Sequence, residues 1–256
     1  MNLDDITPLV LTYNEEANLA RTLAGVAWAR QAVIVDSGST DGTREIAAAH
    51  AGVRWVERPF DDFASQCNYG LAQVTTPWTL ALDADYVCPP ELAAELAGLA
   101  PGFDAFAAGF VYAIGGRPLR GTLYPPRVVL FRTERFRYAA DGHAHKLDLA
   151  GAACGSLRSR IVHDDRKSLA RWVRSQIGYA QLEADKLLGA APGTLGWKDR
   201  LRRAVVVAPP LTLAYCLVGK RLLLDGWPGM YYALQRTFAE LLLSLELVDR
   251  KVRGKR

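Results

Sequence analysis

The stretch VIVDSGSTDGTREIA, residues 33–47, decides the fold. It opens as a β-branched apolar run and breaks at Asp36 into a turn of Ser, Gly, Thr and Asp. It then resumes as a helix-forming segment behind Asp41, which is placed to cap it. A strand that leaves the core through a polar, glycine-bearing turn straight into a helix is half of a βαβ unit. The same order recurs on both sides. ITPLVLT leads to EEANLARTLAGVA, VRWVE leads to a polar helix through Ala72, and WTLALD closes the series. Short apolar strands alternating with helices predict an α/β protein with a mostly parallel, Rossmann-like central sheet and flanking helices.

In open sheets of this kind ligands bind at the carboxyl ends of the strands. Three of these ends are polar: residues 12–16 (TYNEE), 36–41 and 83–85. The acids of TYNEE sit at a helix start, where they suit the dipole, and capping alone accounts for them. The turn VDSGSTDGT offers a helix N-terminus to a phosphate, yet it has no Lys and is neither a P-loop nor GxGxxG. An Asp at a strand end suits a ribose or a base edge instead. LALDADYVCPP sets Asp83 and Asp85 one residue apart, either as turn formers before Pro89 and Pro90 or as ligands for a hard divalent cation.

Composition sets outer bounds. A chain of 256 residues, 50% hydrophobic, can bury a sizeable core. Cys67, Cys88, Cys154 and Cys216 form no CxxC pair, so neither a zinc cluster nor a disulfide framework is indicated, and reduced thiols in a cytosolic compartment are expected. MNLDDITPLV lacks the basic start and long apolar stretch of a signal peptide. The net charge of +4 is unevenly spread: residues 195–256 hold 12 Lys and Arg against 5 Asp and Glu, a local +7 beside −3 for the residues before them. No nucleic-acid partner is expected.

Residues 103–162 change to strand-like pieces (AFAAGFVYAI, RVVLF, FRYAA) mixed with Gly, Pro and Arg, which predicts a mixed or antiparallel extension of the sheet and, from about residue 103, an acceptor region. A helix is predicted over 168–188, with Leu169, Trp172, Val173, Ile177, Ala180 and Leu187 on one stripe. The expected division is a catalytic domain at 1–165 and a helical extension at 166–256. In the extension, AVVVAPPLTLAYCLVG is a 16-residue apolar run interrupted by Pro209 and Pro210. A spanning helix needs about 20 such residues. With Lys220 and Arg221 following at once, the reading is helices lying on the cytoplasmic face of a membrane. The other reading is that these faces pack on the protein or on another subunit.

TYNEEANLARTL, VIVDSGSTDGTREIA and LALDADY, in this order and at these spacings, resemble the nucleotide-sugar domain of inverting family 2 glycosyltransferases, which have the GT-A fold. The similarity extends to lipopolysaccharide-core β-1,4-glucosyltransferase-like members and covers roughly the first 165 residues. It implies metal-dependent, inverting transfer of a sugar from a nucleotide-sugar donor, a UDP-sugar, to a lipopolysaccharide, cell-envelope or lipid-linked glycan or glycolipid acceptor. By the same resemblance Thr12, Tyr13 and Glu15 line the nucleotide pocket, Asp36 bonds the uridine, Asp83 lies near ribose and metal, and Asp85 holds Mg²⁺ or Mn²⁺. Asn68, with Gln66 beside it, matches an Asn near the nucleotide.

The resemblance also calls for a general base near RYAADGHAHKL, where Asp141 is the candidate, His143 and His145 compete with it, and an ordinary Asp-Gly turn is the plain alternative. His163 in IVHDDRK is the candidate third metal ligand or else a surface or satisfied core histidine. Arg117, Arg120 and Arg127 are candidates to clamp a diphosphate or an anionic acceptor, against the reading of a solvated loop. Where many relatives follow DAD with an acid, this chain has Tyr86. Two other classes stay open: a nucleotidyltransferase, which would carry a Gly-rich, basic loop where TYNEE stands, and a non-catalytic, membrane-associated nucleotide-binding protein.

Overall fold

The structure is a computed structural model that describes all residues except 101, 142, 143, 192, 255 and 256, and except the side chains of residues 140, 141, 144 and 145. Its first half alternates as the sequence predicts: β1 (Ile6–Thr12), α1 (Leu19–Gly25), β2 (Ala32–Asp36), α2 (Thr43–Ala48), β3 (Val53–Glu57), α3 (Phe63–Leu71), β4 (Trp78–Asp83), β5 (Tyr86–Val87) and α4 (Glu91–Ala97). Then come β6 (Ala105–Ile114), β7 (Arg117–Pro118), β8 (Arg127–Arg132), β9 (Tyr138–Asp141), β10 (Ala144–Leu147) and β11 (Cys154–His163). The last part is helical: α5 (Leu169–Gly189), α6 (Trp197–Arg203), α7 (Ala208–Ala214) and α8 (Gly226–Val252). A π turn (Tyr215–Gly219) and a 3-10 turn (Leu222–Asp225) join α7 to α8.

The main sheet runs β3-β2-β1-β4-β8-β6-β11-β5, with β7 on β6. β3, β2, β1 and β4 are parallel, β8 is antiparallel to both β4 and β6, and β11 is parallel to β6. The inner parallel strands β1, β2 and β4 are largely buried on both faces because they are apolar without alternation, while the edge strand β3 (VRWVE) is partly exposed. On β2, Ile34 faces one core cluster and Val33 and Val35 the other. Full burial of a side chain such as Ile34 contributes about 1.5–3 kcal/mol. β9 and β10 form a separate two-stranded ribbon.

The chain divides into two units: residues 1–118, 124–140 and 145–166, and residues 119–123, 141–144 and 167–256. In the second, Ser168 caps α5 by accepting from the Arg171 N–H, so the helix begins where its sequence signal stands. Its buried face differs from the expected stripe. Leu169 and Ile177 are exposed, while Ala180, Ala184 and Leu187 pack on Leu243 and Leu247 of α8. Small residues let the two helices approach closely, so the contact follows Ala180 and Ala184 rather than the bulkiest side chains.

Buried Glu183 of α5 lies 3.3 Å from Arg202 of α6, and Arg202 also pairs with Glu240 of α8 at 2.7 Å. One guanidinium thus joins three helices. Arg202→Ala removes the cation that both carboxylates share, with an expected loss of about 1.5–3 kcal/mol. Urea titration of wild type, Arg202→Ala and Arg202→Lys checks this. Coincident transitions for wild type and the Ala variant would show that the ion network does not stabilise the unit.

Candidate active site

Sheet register brings the three polar strand ends together. Thr12 pairs with Asp36, and Leu11 pairs with Asp83. Asp36 is buried, and its carboxylate accepts four hydrogen bonds: from Thr12 Oγ1 (2.8 Å), the Gly38 N–H (2.9 Å), the Ser39 N–H (2.7 Å) and Ser39 Oγ (2.5 Å). The loop folds around this carboxylate, and Gly38, at φ +88°, supplies the left-handed residue the wrap requires. Thr12 and Asp36 therefore shape the loop from beneath.

TYNEE and the following loop hold one another. Asn14 accepts from the Thr40 N–H at 2.7 Å and donates its own N–H to Ser39 Oγ at 2.6 Å. Glu16 accepts from the Gly42 N–H at 3.0 Å, and Asp41 accepts from the Thr43 N–H at 3.1 Å at the start of α2. Glu15 is buried, with its N–H on Thr43 Oγ1 (2.6 Å) and its carboxylate accepting from Asn18 Nδ2 (2.9 Å). The Tyr13 ring, by contrast, is 55% exposed.

Beyond β4 the chain turns at Ala84 and Asp85 into β5, and Thr22 of α1 fixes the turn by donating to the Ala84 carbonyl at 2.6 Å. β5 pairs with the end of β11, with Tyr86 opposite His163. That pairing sets Asp85 Oδ2 3.2 Å from His163 Nε2. Asp83 lies 3.8 Å from Arg127 Nη1. Of the three residues read as metal ligands, two meet and the third faces an arginine. Among the described residues no group of three His, Cys, Asp or Glu side chains converges as a metal site.

His163 is held mainly by packing. Rings of Tyr86, Tyr112 and Tyr124 lie 5.3, 4.6 and 4.8 Å from it, and its buried Nδ1 makes no hydrogen bond among the described residues. Burial works against an imidazolium here, but the charge and hydrogen bond of Asp85, with the charges of Asp83 and Asp165, together outweigh it, and the His163 pKa lies above its ordinary value. Tyr86, where an acid was expected, is buried and hydrogen-bonded through its hydroxyl to that of Tyr124. Burial, then the charge of Asp83, hold its pKa well above the ordinary value, so it is a neutral packing group. Arg127 stacks over the Tyr124 ring at 5.2 Å. Burial opposes its charge, yet Tyr124, Tyr86 and Asp83 outweigh that and raise its pKa.

Next to this pair stands a network that the sequence reading did not single out. Asp164, directly after His163, is buried and accepts from Arg21 Nη1 (2.8 Å), Arg166 Nε (2.8 Å) and the Gly116 N–H (3.2 Å). Its own N–H donates to the Asp85 carbonyl at 3.1 Å. Buried Asn18 bonds Glu15 and Asp165 with its amide N–H groups and accepts from the Arg166 N–H and Arg21 Nη2. The available signal was the run HDDR after an apolar strand, four polar groups where one histidine had been weighed.

Other candidates have partners of their own. Asn68 brackets the Tyr138 backbone, donating to its carbonyl and accepting from its N–H at 2.9 Å each, so it anchors the start of β9. Gln66 donates to Ser37 Oγ (2.9 Å) and the Arg58 carbonyl (3.0 Å). Arg120 belongs to the second unit, where its Nε lies 3.1 Å from Asp225. Arg117 is exposed on β7. Asp141 closes β9 and His145 lies in β10, but their side chains, like the whole of His143, fall outside the described residues.

The family model described as glycosyl transferase family 2 matches residues 9–166. The lipopolysaccharide core biosynthesis glycosyltransferase LpsC of Rhizobium meliloti (strain 1021) is 26% identical over 194 residues, 71% of each chain. An uncharacterized glycosyltransferase of Mycobacterium tuberculosis is 35% identical over 97 residues, 36% of this chain and 44% of its own length. Among solved structures, glucosyl-3-phosphoglycerate synthase from Mycobacterium tuberculosis, in complex with Mn²⁺, UDP and phosphoglyceric acid, aligns with a TM-score of 0.52 at 19% identity, over 75% of this chain and 81% of that one. The last likeness is one of fold, the GT-A architecture expected from the sequence.

Proposed function

The chain belongs to glycosyl transferase family 2 and is a glycosyltransferase, and on that premise we propose that it moves a sugar, with inversion, from a UDP-sugar to a lipopolysaccharide-core or other lipid-linked cell-envelope glycan. The observation that carries the reading is Asp85 beside His163 at the end of β4, next to the paired ends of β1 and β2. The 26% identity to LpsC supports the acceptor class.

A hard divalent cation fits this pair. Mg²⁺ and Mn²⁺ sites in phosphate-transferring enzymes take one or two protein ligands and complete their shell with substrate oxygens. Asp85 and His163 would hold the ion, which when bound neutralises charge on the departing nucleoside diphosphate. Of the residues read as donor contacts, Tyr13, Asp83 and Arg127 present surface, with side chains half to a third exposed for the last two. Arg127 is set to counter diphosphate charge, and Tyr13 to cover the base. Asp141 is the proposed base, taking the acceptor hydroxyl's proton on the face opposite the leaving group. Residues 1–165 form the proposed catalytic domain. The extension at 166–256 is proposed to hold the enzyme peripherally at the cytoplasmic face of the membrane. No helix among the described residues is long and apolar enough to cross one.

The test is UDP release from a panel of UDP-sugars with Mn²⁺, with and without excess EDTA. Release that EDTA abolishes and Mn²⁺ restores is expected. Absence of release from every donor, with or without a lipid-linked acceptor, would refute the donor class. Release indifferent to EDTA would refute the metal.

A further inference from the structure

A helix on a water-facing surface normally shows charge on its outer side. α8 does the opposite. Trp227, Tyr231, Leu234, Phe238, Leu241 and Leu245 follow one another at alternating spacings of four and three, and all six are exposed. From Trp227 to Val248 no exposed position of the helix is polar, save the Tyr231 hydroxyl. At 1.5 Å rise per residue this stripe is roughly 30 Å long.

The exposure continues onto the elements that pack against α8. Val206 and Val207 precede α7, Leu211 lies on it, and Val218 lies on the π turn. Leu223 and Leu224 project from the 3-10 turn that leads into Trp227, itself 85% exposed. Within residues 204–238 the single charged side chain among the exposed ones is Arg221. The acid nearest this tip, Asp225, is already engaged by the Arg120 N–H and guanidinium. The charges that border the apolar stretch are mostly basic: Arg200 and Arg203 before it, Lys220 and Arg221 within the turns, Lys251 and Arg253 after it, where exposed Asp249 pairs with Arg253.

We infer that α7, the two turns after it and the outer stripe of α8 form an insertion surface for an anionic phospholipid bilayer, with Leu223, Leu224 and Trp227 at its centre. This rests on the membrane part of the function proposed above and is independent of its chemistry. Two features favour lipid over a second copy of this chain. A 4-3 stripe alone suits a two-helix seam, but a seam buries one stripe, whereas here the apolar surface spreads over α7 and two short turns that offer no heptads. The bordering charge is predominantly positive, a local +7 over residues 195–256, which matches an anionic headgroup layer and disfavours a like copy. Trp227, Tyr215 and Tyr231 supply the amphipathic rings that settle at headgroup level.

The experiment is co-sedimentation of the full chain with vesicles of phosphatidylglycerol or of phosphatidylcholine, alongside sedimentation equilibrium without lipid. The wild type is expected to pellet with phosphatidylglycerol and much less with phosphatidylcholine. A Leu223→Asp, Leu224→Asp double variant and a Lys220→Glu, Arg221→Glu double variant should each lose at least tenfold in vesicle affinity while keeping UDP release and thermal midpoint. Equal pelleting of variants and wild type would overturn the inference. So would a failure to pellet combined with a dimer that Leu234→Asp dissociates, which would assign the stripe to a second copy. Pelleting without UDP release from any donor would leave this surface standing and remove the catalytic reading alone.

Discussion

Asp85→Asn is expected to lower the rate of UDP release by about 10³-fold, equivalent to about 4 kcal/mol of transition-state stabilisation. The substitution keeps the shape of the side chain and the backbone carbonyl that accepts from the Asp164 N–H, so the turn between β4 and β5 keeps its geometry. What it removes is the negative charge 3.2 Å from His163 Nε2, the charge that the proposed hard-cation site requires. Two measurements separate the proposed role from simple damage. Thermal unfolding of the variant should match wild type within a few degrees, and a Mn²⁺ titration followed by electron paramagnetic resonance should show weaker binding. Asp83→Asn should lose less, because its carboxylate pairs with Arg127, whereas that of Asp85 is the one in contact with the histidine. A variant that keeps more than a tenth of wild-type turnover at saturating Mn²⁺ would remove Asp85 from the metal.

The chain announced its parallel half because local and long-range preferences agree there. β-branched runs, glycine-bearing turns and helix starts fall in the order that a buried parallel sheet needs, and Thr12, Asp36 and Asp83 come to neighbouring strand ends as a result. Roles within the site were less legible. Asp36 reads as a ligand because it ends a strand, yet whether its carboxylate faces a ligand or its own loop depends on Ser39 and Gly38 folding back. Asn68 looked like a nucleotide contact, but its partner is a backbone 70 residues away. Arg120 was grouped with Arg127 by nearness in sequence, while the structure assigns the two to different units. The Asn18–Arg21–Asp164–Arg166 network joins α1 to the end of β11 across more than 140 residues, a separation no local pattern reports. Tyr86 marked a departure from relatives, and only its ring neighbours reveal what replaced the acid: an aromatic packing around His163.

Asp164→Ala is expected to cost both stability and metal affinity, and the two losses have one cause. The carboxylate is buried between two guanidinium groups, and removing one partner of such a set costs about 3–5 kcal/mol when all are buried. The Arg21 and Arg166 side chains keep 29% and 42% of their surface in water. Solvent therefore shares the stranded charges, and about 2–4 kcal/mol is the expected loss. The functional effect follows from position. Asp164 is bonded to its neighbour His163 through the chain and to the Asp85 carbonyl through its N–H, while its carboxylate ties that junction to α1 and to Gly116. With the tie gone, the end of β11 keeps its backbone pairing with β5 but is no longer anchored to α1 and Gly116, and Asp85 and His163 are less well fixed relative to each other. Loss of such an outer partner typically lowers metal affinity or activity by about 10–100-fold. Asp164→Asn, which retains an acceptor oxygen for the two guanidinium groups but loses the charge and the acceptor for the Gly116 N–H, should fall between the alanine variant and wild type on both scales. Chemical denaturation and Mn²⁺ titration of the three proteins provide the check. If the alanine variant lost stability with Mn²⁺ affinity unchanged, the network would be a structural tie alone, and the geometry of the Asp85–His163 pair would be set by the β5–β11 pairing without it.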